Sequence, residues 1–192
     1  IPVINVNNNC GSGSSALYLA RQAVESGAVD CALAFGFEQM QPGALKSHWL
    51  DRPITYGKGQ EVAAASSPEG GEMPHALKFF GGAGKEHMEK YGTKMETFAA
   101  IRAKASRHGA NNPLSVFKKV LTTEEVMADQ VIFPGVMTRL MACPPTCGGA
   151  ATILVSERFA RQHGLRTDVC ILAQSPVTDQ PQALEPPSLV SI

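Results

Sequence analysis

The first 38 residues constrain the fold most, because two apolar runs there flank a helical repeat. Ile1-Pro2-Val3-Ile4-Asn5-Val6 reads as a short strand, and Val29-Asp30-Cys31-Ala32-Leu33-Ala34-Phe35-Gly36 as a second one. Between them Ala16, Leu17, Ala20, Ala23 and Val24 fall at the i, i+3, i+4, i+7 spacing of one helix face. Gly27 supplies a stop. The pattern is βαβ-like, and the nearly continuous second run suits a strand buried on both faces. Aromatic residues make up only 6% of the chain, so its 44% hydrophobic share is mostly Ala, Val, Leu and Ile around 18 glycines and 13 prolines. That composition favours α/β packing.

Residues 39–92 break the rhythm. Pro42, Pro53, Pro68 and Pro74 punctuate them, with Trp49 and Tyr56 as isolated anchors. A long excursion of this kind is usually functional or disordered. Leu45, Trp49, Leu50, Phe79 and Phe80 give it something to pack with, so the reading is a loop subdomain with one short helix around Lys85–Tyr91. Regularity returns at Thr93-Lys94-Met95-Glu96, which has capping-box spacing and predicts a helix to about His108. Thr122-Thr123-Glu124-Glu125 repeats that spacing before a short helix ending near Asp129. Ala150–Val155 reads as a buried strand, Ser156 as the cap of a helix from Glu157 to His163, and Val169–Ala173 as a last strand. An apolar strand at the first residue, with a Pro-rich aperiodic stretch from Pro181 to Ile192, reads as a piece of something longer.

Charge narrows the function classes. Seventeen basic and seventeen acidic residues leave a net charge of zero. The broad electrostatic case for nucleic acid is therefore missing. No apolar run reaches the length of about 18 residues that a transmembrane helix needs. The five cysteines are odd in number, and Cys143-Pro144-Pro145-Thr146-Cys147 has no second pair at zinc-site spacing, so we expect reduced thiols and no metal.

Cys10 is the chemical candidate. It falls between the first apolar run and a helix N-terminus, where the macrodipole and free N–H groups favour negative charge. Gly11 and Gly13 would let a substrate approach the backbone, and their N–H groups could meet a developing oxyanion. The competing reading is a small buried cysteine in a tight turn. A cysteine nucleophile usually also has a base, and no histidine is near it in sequence. His87, among Lys85, Glu86, Glu89 and Lys90, reads as part of a solvated helix face, and His108 and His163 as helix-end residues. His48 and His75 belong to the loop region with no assigned role.

Asn7-Asn8-Asn9-Cys10-Gly11-Ser12-Gly13-Ser14-Ser15-Ala16-Leu17 closely resembles the nucleophile turn of the thiolase superfamily, and its triple Asn resembles the sterol carrier protein X type. Gly82–Lys94, His108–Pro113 and Cys143–Thr146 agree with that resemblance in the expected order. A ketoacyl synthase shares the nucleophile turn but fits the triple Asn and the Gly82–Lys94 segment poorly.

The resemblance implies an α/β thiolase-like fold with two related βαβαβ halves. Residues 1–38 would be the nucleophile-bearing βαβ of the first half, 39–115 the loop subdomain, 116–164 the remainder of that half, and 165–192 the start of the second. It also implies that Cys10 attacks a 3-ketoacyl-CoA, keeps a shortened acyl group and passes it to coenzyme A. Coenzyme A is then a substrate, and no cofactor is expected. Asn9, Gly11, Phe80 and Gly81 become substrate-binding residues, although ordinary loop packing explains Phe79-Phe80-Gly81-Gly82 equally well. The implied substrates are branched-chain or sterol side-chain ketoacyl-CoAs. The implied assembly is a homodimer with Ile1–Val6 in its contact.

The peroxisome rests on the resemblance alone, with cytoplasm and mitochondrion as alternatives, because no Ser-Lys-Leu-like tripeptide closes these residues. The family's general-base histidine belongs to a second-half Gly-His-Pro segment that does not occur here. A catalytically silent chain that binds acyl-CoA or a partner is therefore the alternative expectation. Cys147 stands where the family pattern suggests the Asp of a Ser-Asp-Gly turn.

Overall fold

A computed structural model of the chain describes residues 2–42, 51 and 73–177. Leu45, His48, Trp49, Leu50, Tyr56 and the Pro181–Ile192 stretch are outside the described residues. The chain forms two compact units, one of Ile1–Pro42 with Pro145–Thr178 and the other of Gly43–Pro144 with Asp179–Ile192.

In the first unit, helix α1 (Ser12–Glu25) lies against an antiparallel pair, β1 (Cys31–Glu38) and β4 (Gly148–Val155). The predicted helix face is the one used: Ala16, Leu17, Ala20, Ala23 and Val24 are all half-buried. Gly27 leaves the helix at φ 74°, a left-handed turn that suits a residue without Cβ. The strand pair corrects the sequence reading. β1 is covered on one face only, with Ala34 buried while Leu33, Phe35 and Phe37 stand exposed. Side chains alternate across a strand, so the apolar run serves a half-covered sheet rather than a doubly covered one.

Residues 2–6 do not form the expected strand, and neither do 169–173. A strand needs a hydrogen-bonded neighbour, and no described residue pairs with either segment in a ladder. Arg21 Nη1 reaches the Gln174 carbonyl at 3.4 Å, tying the second segment to α1.

One polar latch closes this unit. Arg158 donates to both carboxylate oxygens of Asp30 at 2.8 and 2.7 Å, and Ser156 Oγ donates to Oδ1 at 2.9 Å. Ser156 Oγ also accepts from Phe159 N–H at 3.1 Å, capping α5 (Glu157–Gln162) as its sequence predicts. The Arg158 hydrogen bond, then the Ser156 one, hold the Asp30 carboxyl below its ordinary value of 3.8. A lowered acid stabilises the fold at pH values above its unfolded pKa, and the contribution is lost as pH falls through the folded one. Asp30→Asn should therefore melt below wild type at pH 6, and the gap should narrow as pH drops beneath 3.8. Thermal melts over a pH series check this; a gap that widens on acidification contradicts it.

Among the described residues of the second unit, three helices pack around two small apolar clusters. Helix α2 (His75–Tyr91) is the main departure from the sequence reading, which allowed only a short helix near its end. Its two buried residues are Gly81 and Gly82. A Cβ on Gly81 would stand 2.0 Å from Phe133 Cδ2, so the glycine marks a close approach to a fully buried ring rather than a loop. Helix α3 (Met95–Ala110) begins after Lys94, with no side-chain cap, so the Thr93–Glu96 box is not formed.

The second box does form around α4 (Thr123–Met127). Thr122 Oγ1 accepts from Glu125 N–H at 3.1 Å, while Glu125 Oε2 accepts from Thr122 N–H at 2.9 Å. Phe133, Val136 and Met137, from the short pair β2 (Val131–Phe133) and β3 (Met137–Thr138), make one cluster; Ala99, Leu121 and Val126 make the other. Buried Ser106 joins α3 to the approach to α4, since its Oγ accepts from Leu121 N–H at 2.9 Å and donates to the Ala103 carbonyl at 2.7 Å.

Candidate active site

Cys10 immediately precedes Gly11, the N-cap of the 14-residue α1, and it is exposed. Its surroundings are a small hydrogen-bonded turn built from the residues on both sides of it. Gly11 N–H donates to the Asn8 carbonyl at 2.9 Å and Ser12 N–H to the Asn9 carbonyl at 3.1 Å. Ser12 Oγ accepts from Asn8 N–H at 2.8 Å and donates to the same Asn9 carbonyl at 2.7 Å. Asn9 N–H donates to Asn7 Oδ1 at 3.1 Å, and Asn8 Nδ2 donates to Ser15 Oγ at 3.1 Å.

The triple Asn and the serines are thus the material of the turn. Asn9 has φ 46°, a left-handed conformation that Asn tolerates better than most L-residues. Gly11 N–H is already committed to the Asn8 carbonyl, so it is not the free oxyanion donor that the sequence suggested. A Cβ at Gly11 would approach the Asn8 carbonyl at 3.3 Å, while one at Gly13 would meet nothing within 4 Å. Ser12 is the functional candidate that sequence reasoning passed over. Serine and asparagine side chains habitually bond the backbone of tight turns, but that tendency does not say which groups Ser12 takes.

Phe80 and Gly81 belong to the other unit and to one helix, yet they do different things. Phe80 is 69% exposed and lines an open apolar groove of about 330 Å³ with Phe98, Ile101, Arg102, Val136 and Met141. Gly81 is buried against Phe133. His87 also differs from expectation: it is half-buried, its ring meets that of Tyr91 at a tilt with centroids 4.7 Å apart, and its buried Nδ1 has no hydrogen-bond partner among the described residues.

All five cysteines are free and exposed, including Cys31 and Cys170, for which the apolar runs had suggested burial. The reason is the same as for Leu33: only one face of the strand pair is covered, and residues 169–173 join no sheet. Cys147-Gly148-Gly149 opens β4, with the Cys147 thiol 3.9 Å from the Met40 carbonyl, a weak contact at the position expected to carry an Asp. Among the described residues no group of three or more His, Cys, Asp or Glu could hold a metal ion. No helix there is long and apolar enough to cross a membrane.

Comparison with known proteins bears on this turn directly. Rabbit (Oryctolagus cuniculus) sterol carrier protein 2 is 45% identical over 193 aligned residues, covering 100% of this chain and 35% of the relative. The human (Homo sapiens) sterol carrier protein 2 is likewise 45% identical, again over 100% of this chain and 35% of its own length. The chain thus spans about a third of the relatives it matches. A solved structure described as an Ltp2-ChsH2(DUF35) aldolase superposes with a TM-score of 0.57 at 21% identity, covering 79% of this chain and 37% of that one, a likeness of fold. The profile of the thiolase N-terminal domain matches residues 1–133, taking in the Cys10 turn, α1, β1 and the helices of the second unit. By that match the chain is a member of the thiolase family, of α/β fold.

Proposed function

We propose that the chain carries the nucleophile of a thiolase-type acyltransferase acting on 3-ketoacyl-CoA, with Cys10 as that nucleophile. One observation carries the reading: the Cys10 thiol is exposed at the N-terminal end of α1, in a turn the family profile includes. In the forward reaction the Cys10 sulfur adds to the keto carbonyl. The bond between C2 and C3 then breaks, and its electron pair leaves on the acetyl-CoA or propionyl-CoA carbon, which takes up a proton. The acyl group stays on sulfur until the thiol of coenzyme A attacks it. Coenzyme A enters as a substrate, and no cofactor takes part.

The helix N-terminus favours the negative charge that develops at this end. Taken by itself, the exposed apolar groove beside Phe80 in the second unit is suited to an apolar chain. The name of the matched relatives, sterol carrier protein 2, supports a sterol-derived acyl group, and the family resemblance alone extends the proposal to branched chains and to lipid oxidation in peroxisomes. The exposed Val3 and Ile4 are available for the contact of a homodimer.

A second reading is favoured by one fact: no Gly-His-Pro segment occurs in these 192 residues. On that reading the chain accepts an acyl group from a thioester but does not cleave the carbon–carbon bond. Acyl exchange needs only a thiolate and a departing coenzyme A thiolate, whereas cleavage also needs a proton for the leaving carbon. Incubation with acetyl-CoA, followed by intact mass and peptide mapping, tests the shared claim. The acetyl group is expected on Cys10, about tenfold faster than on Cys31, Cys143, Cys147 or Cys170. Those four thiols are exposed as well and serve as internal controls. Even labelling of all five overturns the reading. Release of acetyl-CoA from acetoacetyl-CoA and coenzyme A separates the cleaving enzyme from the silent acceptor.

A further inference from the structure

We propose that Ser12 is a positioning residue for Cys10, a role that rests on the nucleophile reading above. Its hydroxyl acts on the peptide that leads into the nucleophile. The Asn9 carbonyl accepts two hydrogen bonds from one residue, from Ser12 Oγ at 2.7 Å and Ser12 N–H at 3.1 Å. The same Oγ accepts from Asn8 N–H at 2.8 Å, so it grips the chain on both sides of Asn9.

That carbonyl and the Cys10 N–H belong to one planar peptide and point in opposite directions in the trans form. Fixing the oxygen therefore fixes the N–H, and with it the plane from which the Cys10 side chain departs. The clamp is needed because Asn9 is held at φ 46°, where an L-residue has no intrinsic preference to stay. Without the hydroxyl, this carbonyl loses the shorter of its two bonds to Ser12, and the plane can rock. Rocking matters little to a small reagent that can approach the sulfur from any side. It matters for a thioester, whose carbonyl must meet the sulfur from a defined direction.

Ser12→Ala and Ser12→Val remove the hydroxyl, and Ser12→Thr keeps it in the shape that Val imitates. Two rates on Cys10 are measured in the intact chain: acetyl transfer from acetyl-CoA and alkylation by iodoacetamide. Both hydroxyl-free variants should lose about tenfold in acetyl transfer and keep iodoacetamide alkylation within about twofold. Ser12→Thr should restore the transfer. Ser26→Ala, which removes a serine bond at the far end of α1, should change neither rate. Because Val and Thr share one shape, a folding defect in Ser12→Ala leaves the Val–Thr comparison to decide. Wild-type transfer in the hydroxyl-free variants, or an equal slowing of both reactions, overturns the positioning role alone. A wild-type chain that takes no acetyl group on Cys10 overturns the nucleophile reading and this role with it.

Discussion

Cys10→Ala should take thiolase turnover below detection and leave acyl labelling only at the slower rate of the other four thiols, with its thermal midpoint near that of wild type. Removing a covalent nucleophile typically lowers turnover by at least about 10⁴-fold, because no neighbouring group can form the same bond. Stability should change little, because the side chain is exposed and the hydrogen bonds of the turn run between its neighbours. Cys10→Ser should also fail, since a hydroxyl at ordinary pKa is a far weaker nucleophile than a thiolate and no histidine lies nearby in sequence to deprotonate it. Release of free coenzyme A and the intact mass of the chain are the two readouts. An adduct of wild-type yield in Cys10→Ala would place the chemistry on another cysteine.

Gly81→Ala should destabilise the second unit by about 2 kcal/mol, from two opposed effects. Alanine is the better helix former, worth about 1 kcal/mol in a helix interior. Against this, the new Cβ would lie 2.0 Å from Cδ2, 2.5 Å from Cε2 and 2.6 Å from Cγ of Phe133. That ring is only 2% exposed and has no space to retreat into, so α2 itself must shift. Forcing extra volume into a packed core costs about 1–3 kcal/mol, and a clash this deep belongs at the upper end. Urea unfolding followed by far-UV circular dichroism measures the difference. Phe133→Leu in the same chain should recover part of it, since the two positions share one space. An unchanged or raised midpoint in Gly81→Ala would mean that the helix and ring do not approach as described.

Three local signals in the sequence proved readable. Ser156 caps α5, Thr122 and Glu125 form a reciprocal box, and the half-buried face of α1 has the spacing of Ala16, Leu17, Ala20, Ala23 and Val24. What the sequence hid depended on distant partners. Helix α2 contains Phe79-Phe80-Gly81-Gly82, a poor helix sequence in isolation, and its logic appears only when Phe133 arrives against Gly81. Thr93 failed as a cap although its spacing equals that of Thr122, so the three-residue offset alone does not secure the box. The apolar run 29–36 fixed a strand but not how many of its faces would be covered. At the candidate site, the helix that follows Cys10 was legible from residue types alone. The bonding of Ser12 was not, since a serine in a turn has several backbone groups within reach.

The half-covered strand pair has a colloidal consequence. Leu33 at 58% exposure, Phe35 at 59%, Phe37 at 81% and Ile153 at 66% stand on one face of β1 and β4, with Leu33 directly opposite Ile153 in the register. An adhesive face of this kind is normally kept from its copies by like-charge repulsion, and a chain of zero net charge at pH 7 has none at long range. Attraction between molecules then goes unopposed at the pH where most preparations are made. Moving a few pH units to either side restores a common sign of charge, and added salt screens it away again. Turbidity of concentrated solutions should accordingly peak close to the isoelectric point of about 7.1 and fall on both flanks at low ionic strength.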